Sequence, residues 1–485
     1  MVYISGQYTC RSKAKQGIIA CMNTAVSLED IVSLCKRRGF IYQGSEIYGG
    51  LSGTWDYGPL GVQLKRNITS LWWNMFIDQR EDMYGIDTTI LMNPKVWAAS
   101  GHVATFNDPL IEDVKTKKRY RLDHLLEESG VPEVASMSLD QMAAVIKEKA
   151  IKSPDGNELG SPSQFNMMFK TFIGANASDD SSEVYLRPET AQGMFVNFKN
   201  IVDSFYPDLP FGIGQMGRNF RNEISPRDFI FRVRELEIME LEYFITPENW
   251  EAEFEKWLTF TDVWFAAIGL PLEKIHRLEV PAEDRAHYSK RTIDWEFEFP
   301  FGTKEIGGLA YRTDYDLAQH EKHSGKNLKY TPKSGGTPFL PHVIEPTYGI
   351  DRTVLAVLSN AYTQDEVNGQ KRIFLKLPTH LAPVKVAVSP LLKNKPELVN
   401  KAREVYALLK KQLGAVMWDD NGNIGKRYRR QDEIGTPYCV VIDFETLQGE
   451  TAGTVTVRDR DTTLQQRASI DDLIAMIAKK VELAI

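Results

Sequence analysis

Between Leu60 and Phe76 the apolar side chains fall at Leu64, Ile68, Leu71, Trp72, Met75 and Phe76, the three-to-four-residue spacing of an amphipathic helix. The run IDTTILM after it reads as an extended segment that stops at Pro94. Upstream, Ser27 with Asp30 three positions on has the form of a helix start whose side chains cap each other. From about Ile111 to Asp180 the character changes. Charged, helix-like stretches (DHLLEESG, SLDQMAAVIKEKA) are broken by SPDGNELGSPSQ, as in an insertion carried by another domain. Two extended runs, FGIGQMGRNF and FRVRELEIMELEYF, then flank the turn-rich RNEISPRD, which predicts a long antiparallel hairpin and a mainly antiparallel sheet. From Val384 the order becomes strand (VKVAVSPL), helix (ELVNKAREVYALLKKQLG), strand (AVMWDD), YCVVIDF, TVTVRDR and a terminal helix. That alternation marks a separate α/β domain of roughly a hundred residues, joined through LPTHLAP. The expected division is a tail over 1–21, a first domain over 22–375 and a second over 376–485.

Composition narrows the class. At 485 residues the chain exceeds the size at which one core stops growing, so two or three domains are expected. With 42% apolar and 25% charged residues and no unbroken apolar run of about 18, it has no membrane-spanning segment. Cys10, Cys21, Cys35 and Cys439 form no CxxC pair, so neither a disulfide framework nor a zinc site is implied, and a reducing compartment, the cytoplasm, is expected. Residues 1–21 carry Arg11, Lys13 and Lys15 and no acid. They read as a disordered tail, with an organelle-targeting segment as the alternative. The net charge of −7 decides nothing about nucleic acid, because only a locally basic face is needed to meet phosphates.

Two constellations carry candidate chemistry. On a strand, Arg221 and Glu223 share one face, as do Arg232, Leu236 and Glu240 on the returning strand. Arginine forks onto phosphate oxygens and a carboxylate accepts from an adenine amine, so the set suits a nucleotide; cross-strand ion pairs on a solvated face would give the same spacing. In YGIDRTVLAVL, an Asp351-Arg352 step opens a helix, and a positive helix start joined to a guanidinium favours polyphosphate, although an ordinary ion pair would also account for it.

FRNEISPRDFIFRVRE resembles the second signature motif of the class II aminoacyl-tRNA synthetases, GIDR the third, and residues 58–94 the first. WDYGPLG, ASGH, RPETAQG, EIGGLAYRTDYDL, EPTYGIDR and IGKRYRRQDEIGTP are similar to the glycine-specific, homodimeric members of that family. The likeness runs from Met22 to the end, with the motifs in family order. It implies an α+β fold: an antiparallel-sheet catalytic core with a helical insertion, then an α/β anticodon-binding domain. It implies glycine activation by ATP and transfer to tRNA(Gly), with Mg²⁺ carried on ATP.

By resemblance, the ATP site comprises Arg221, Asn222, Glu223, Phe231, Arg232, Val233, Arg234, Glu235, Leu236, Glu305, Ile306, Gly349, Ile350, Asp351 and Arg352. Within it Arg221 would meet the α-phosphate, Glu223 the adenine amine and Arg352 the γ-phosphate, with Glu305 serving ATP and magnesium. Glu189, Glu240, Glu345, Pro346 and Thr347 would hold the amino acid, and Gly307 and Gly308 would crowd out larger side chains. Leu236 departs from the family, which places phenylalanine there to stack on adenine. Lys426, Arg427, Tyr428, Arg429 and Arg430 interleave cations with an aromatic, as single-stranded RNA binders do and as a solvated charge run also would; the resemblance assigns them to tRNA. Three rivals stand beside this reading: another class II specificity such as serine or alanine, a non-catalytic nucleic-acid-binding relative, and an enzyme that makes adenylates or dinucleotides without tRNA.

Overall fold

The computed structural model describes residues 26–134, 137–174, 182–367 and 369–481. The 1–21 segment, with Cys10 and Cys21, lies outside them.

Its centre is a seven-stranded sheet. In spatial order the strands are Ile275–Glu279, Arg291–Phe299, Gly302–Thr313, His342–Gly349, Glu235–Ile245, Phe211–Phe220 and Met83–Gly85. Neighbours run antiparallel except the last pair, where Met83–Gly85 joins Phe211–Phe220 in parallel. The central strands are covered on both faces. One face packs on the helices Pro59–Trp73, Trp250–Ala267 and Ile350–Ala361, whose Leu64, Ile68, Trp72, Trp257, Trp264 and Leu355 join Met239, Leu241, Ile344 and Tyr348 in the main core. The other meets Ala191–Phe205, through Phe195 and Phe198 against Phe211, Ile213 and Phe244.

Ser27 and Asp30 make the expected reciprocal cap of Leu28–Arg38. IDTTILM is extended but outside the sheet. The strand is Met83–Gly85, three residues earlier, and past it the only bridge among described residues is Leu91 to Leu186. The 111–180 insertion holds the helices Leu122–Glu128 and Leu139–Glu148 around a small core of Ile111, Leu122, Leu126 and Met142. It also has a three-stranded sheet, Arg119–Arg121, Asn107–Glu112 and Ser163–Asn166, that its charged sequence did not announce.

The hairpin is shorter than its apolar pattern. Phe211–Phe220 pairs with Glu235–Ile245, so Arg221, Glu223 and Arg232 lie in the fourteen-residue excursion 221–234 and not on the strands. Asp228 and Phe229 turn with positive φ, and Arg234 is drawn outward to the Glu223 and Ser52 carbonyls.

The last domain is a five-stranded sheet, Val416–Trp418, Val386–Pro390, Tyr438–Ile442, Thr454–Asp459 and Gln465–Ser469. Its first three strands are parallel and the rest antiparallel.

Candidate active site

The cleft lies on the sheet face beside Ala191–Phe205, where strand alternation sends Glu240 and Glu242 off one side of Glu235–Ile245 and Glu345 and Thr347 off the same side of its neighbour. Register puts Glu240 opposite Thr347, whose hydroxyl donates to Glu240 Oε1 at 3.1 Å. The Thr190 amide donates to Glu240 Oε2 at 3.1 Å, and the Thr190 hydroxyl donates to the same oxygen.

Glu189 and Glu345 are reached through residues that the sequence motifs contained without a role. Arg312, 1% exposed, donates from Nη1 to Glu345 at 2.7 Å and grips Asp316 with Nε and Nη2 at 2.8 and 2.9 Å. Its guanidinium lies 3.8 Å from the Tyr288 ring centroid. His102 of ASGH sets Nε2 3.2 Å from Glu189. Gln192 donates to Glu189 and to Asp316, both at 2.9 Å, and His320 meets its Oε1 at 2.8 Å. Alternation along EIGGLAYRT was the available signal for Arg312. Gly308 and Ala310 pair with Thr347 and Glu345, and a bulge after Tyr311 delivers Arg312 beside them.

The charges do not balance. Four buried glutamates (189, 240, 242 and 345) and Asp316 have one buried arginine bonded among them, Arg312; Arg187, also buried near Glu240, gives its guanidinium to backbone carbonyls. Burial and its neighbours Glu240 and Glu189 push the Glu345 carboxyl up to about 8, against the pull of Arg312. Glu240 is raised by burial and by Glu189, and Glu242 well above the usual range by burial and by Glu345. Glu189 goes the other way: burial raises it, but His102, Arg312 and Gln192 outweigh that and hold it far below the ordinary carboxylate value. An enclosed space with this excess of acceptors suits a small cation.

The other end of the cleft is more open and rich in arginine. A cavity of about 130 Å³ is lined by Arg221, Glu223, Phe231, Arg232, Val233, Leu236, Glu240, Glu305, Gly349, Asp351 and Arg352 among others. Arg352 stacks on Phe231 with its guanidinium 4.4 Å from the ring centroid, and its Nη1 lies 2.9 Å from Glu305 Oε2. Glu223, which lines this space, has a buried Oε2 with no hydrogen-bond partner among the described residues. Phe231 supplies the aromatic face that Leu236 lacks.

The remaining sequence-derived residues fall elsewhere. Ile306, Ile350 and Pro346 are buried, and the first two belong to the main core; alternation turns Pro346 to the face opposite Glu345 and Thr347. Arg234 binds backbone carbonyls outside the cavity, Glu235 pairs with Arg218, and Asn222 gives its amide to Met167. Asp351 lines the cavity but accepts from Tyr57 at 2.6 Å and from the Glu237 amide at 3.0 Å, a buckle between helix and sheet. Gly307 is fixed by the sheet, since a Cβ there would meet the Thr347 carbonyl at 2.9 Å; Gly308 has only an ordinary neighbour, Asp294 at 3.4 Å.

KRYRR is a helix, Ile424–Glu433, capped by Asn423. Arg427 points inward, 2% exposed, donating to the carbonyls of Gly422, Asp420 and Pro390, and Arg430 pairs with Asp419 at 2.6 Å. Lys426, Tyr428, Arg429 and Arg430 line a groove of about 920 Å³ together with Arg38 and Arg458. The expected row of five RNA-facing side chains is therefore a two-sided helix, because residues 426 and 427 lie on different faces.

Residues 169–361 match the model of the class II tRNA synthetase core domain (G, H, P, S and T), and residues 385–480 match the anticodon-binding domain. A glycine–tRNA ligase of Deinococcus radiodurans is 49% identical over 504 aligned positions, spanning 94% of this chain and 99% of that protein. Those of Thermus thermophilus and Caldanaerobacter subterraneus are 46% and 47% identical, spanning 94% and 95% of this chain and 99% and 100% of theirs. With a buried cluster of carboxylates that shares Glu240 with an arginine-lined cavity, and this similarity over 94–95% of its length, the chain belongs to the glycine–tRNA ligase family of class II aminoacyl-tRNA synthetases.

Proposed function

We propose that the chain activates glycine with ATP, giving glycyl-adenylate and pyrophosphate, and passes the glycyl group to the 3′ end of tRNA(Gly). The observation that carries this reading is a shared wall: Glu240, from the carboxylate pocket, lines the same cavity as Arg221, Glu223 and Arg352. An ammonium held at Glu240 leaves its own carboxylate a short reach from a phosphate held by the arginines, the proximity an in-line displacement needs.

In this reading Arg221 and Arg352 take the charge that develops on the phosphate oxygens as pyrophosphate leaves. Arg352, backed by the Phe231 ring, covers the adenine, and the unpartnered Glu223 Oε2 accepts from its amine. Glu189, Glu240, Glu345 and Thr347 hold the ammonium, oriented by Arg312, His102 and Thr190. Mg²⁺ fits the site's chemistry. Glu305 faces Glu296 across the strand pair, and burial together with these two carboxylates pushes Asp294 up to about 7, an excess of hard oxygen donors that a cation relieves. Bound with ATP, the ion would screen the phosphate charge. Lys426, Tyr428, Arg429 and Arg430 present the basic groove to tRNA.

The enzyme works as a homodimer in the cytoplasm. Support for the dimer is the extended stretch 86–92 at the sheet edge, bridged at Leu91 to Leu186 and with the Leu91 side chain exposed; a stable, active monomer in sedimentation would overturn it. Support for the compartment is that Cys35 and Cys439 are buried free thiols. The test of the activity is ATP–pyrophosphate exchange across the standard amino acids with Arg352→Ala as control. Exchange with glycine alone, lost by about a hundredfold or more in the variant, is expected; exchange with another amino acid would sink the specificity.

A further inference from the structure

Glu242 is the fully buried acid of the cluster whose two carboxylate oxygens have no hydrogen-bond partner among the described residues. Every other carboxylate around it is held: Glu240 by Thr190 and Thr347, Glu345 by Arg312, Glu189 by His102 and Gln192, Asp316 by Arg312 and Gln192. An unpaired buried carboxyl costs a protein a few kcal/mol unless a bound group satisfies it.

Its position shows which group. Glu240 and Glu242 are two apart on one strand, and the register that pairs Glu240 with Thr347 and Tyr243 with Ile344 puts Glu242 across from Glu345. One oxygen from each of Glu240, Glu242 and Glu345 lies within 4.8 Å of the others. Three points so spaced always share a point no more than about 2.8 Å from each, the length of a charge-assisted N–H···O bond. A primary ammonium has three N–H donors. Mg²⁺ prefers about 2.1 Å and keeps several waters, whereas Thr347, Thr190 and Arg312 already donate to two of the three carboxylates and leave little room for that shell.

We propose that Glu242 is a direct contact of the amino-acid ammonium, the third arm of a three-carboxylate nest completed by Glu240 and Glu345. The proposal rests on the glycine-activating reading and deepens it. Beside two other acids, and with Arg312 committed to Asp316 and Glu345, Glu242 stays protonated until the ammonium arrives and then ionises against it, its proton passing to solvent. A bare amino acid needs this arm most, because glycine has no side chain to bind and its affinity must come from its two charged ends.

The test is steady-state exchange kinetics on the full-length chain with Glu242→Gln and, as a second variant, Glu242→Leu, together with thermal melts. A rise in glycine KM of about tenfold or more, with ATP KM within about twofold and an unchanged or higher melting temperature, is expected. A merely structural acid would move the melting temperature and both KM values together. An unchanged glycine KM in a folded variant, a parallel rise in ATP KM, or loss of fold in both variants would overturn the proposal. Absence of glycine-dependent exchange in the unmodified protein would instead overturn the reading beneath it.

Discussion

The two ends of the cleft are built from the same residue types and solve opposite problems. At the nucleotide end Arg221, Arg232 and Arg352 are partly solvated, and their charges cost little until a phosphate arrives. At the amino-acid end the charges are sealed in: Arg312, at 1% exposure, is held by Asp316 and Glu345, and Glu242, at 0%, has no hydrogen-bond partner among the described residues. A substitution at the open end should therefore remove chemistry and spare the fold, whereas one that breaks a bonded pair at the closed end should threaten both.

The sharpest break of that contrast is Arg312→Met. It strips the counter-charge from Asp316 and Glu345 and should cost about 3–5 kcal/mol of stability along with all glycine-dependent exchange; a melting temperature near that of the unmodified chain would show that the pocket tolerates its own repulsion. A second comparison lies on one helix. Arg427→Ala removes a buried guanidinium that donates to three backbone carbonyls, that of Pro390 buried, and should destabilise the last domain by about 2–4 kcal/mol, seen as an earlier unfolding transition. Lys426→Ala, one residue away and exposed, should leave melting alone and raise only the tRNA KM.

Proton linkage gives a smaller effect with a definite sign. Burial pushes the Glu345 carboxyl up to about 8 from the ordinary value near 4.5, and Glu240 and Glu242 are displaced the same way. Between those values the native state holds protons that the unfolded chain has lost, so stability falls as pH rises from about 4.5 to 8. Glu189, displaced downward, acts oppositely, and its contribution is lost only below the ordinary carboxylate range. The unliganded protein should melt lower at pH 9 than at pH 6, and saturating glycine should narrow the gap; no gap would mean that the nest is already neutralised. Smallest of all is Leu236→Phe. With Phe231 already under Arg352, a second ring should lower ATP KM by less than about tenfold, at or below the low end of the about 1–3 kcal/mol that a full stack is worth. A glycine KM that moved with it would show the two ends to be coupled.

Much of this was legible along the chain. Helical spacing located Pro59–Trp73, alternation located the strands on either side of RNEISPRD, and the βαβ order located the last domain, because local periodicity reports which faces are buried. The motifs also carried the open end, where Arg221, Glu223 and Arg352 do meet in one cavity. What they did not carry was the shell around the glutamates. Arg312, Asp316, His102, Thr190 and Gln192 come from segments up to about two hundred residues apart, and no local pattern records that they touch. Nor could composition separate Arg427, folded inward onto carbonyls, from Lys426 beside it.

The sequence by itself determined the elements, the order of the domains and the residue types available to the site, since backbone propensity and amphipathic period are local properties of the chain. The tertiary structure alone decided which of those charges are sealed from water and which partner each one has. Burial and pairing set the energy of a charge, and both depend on strand register, the bulge after Tyr311 and the crossing of distant helices. Glu242 shows the difference: in sequence it is one more acid in MELEYF, and in the fold it is the unpaired carboxyl of a three-acid nest.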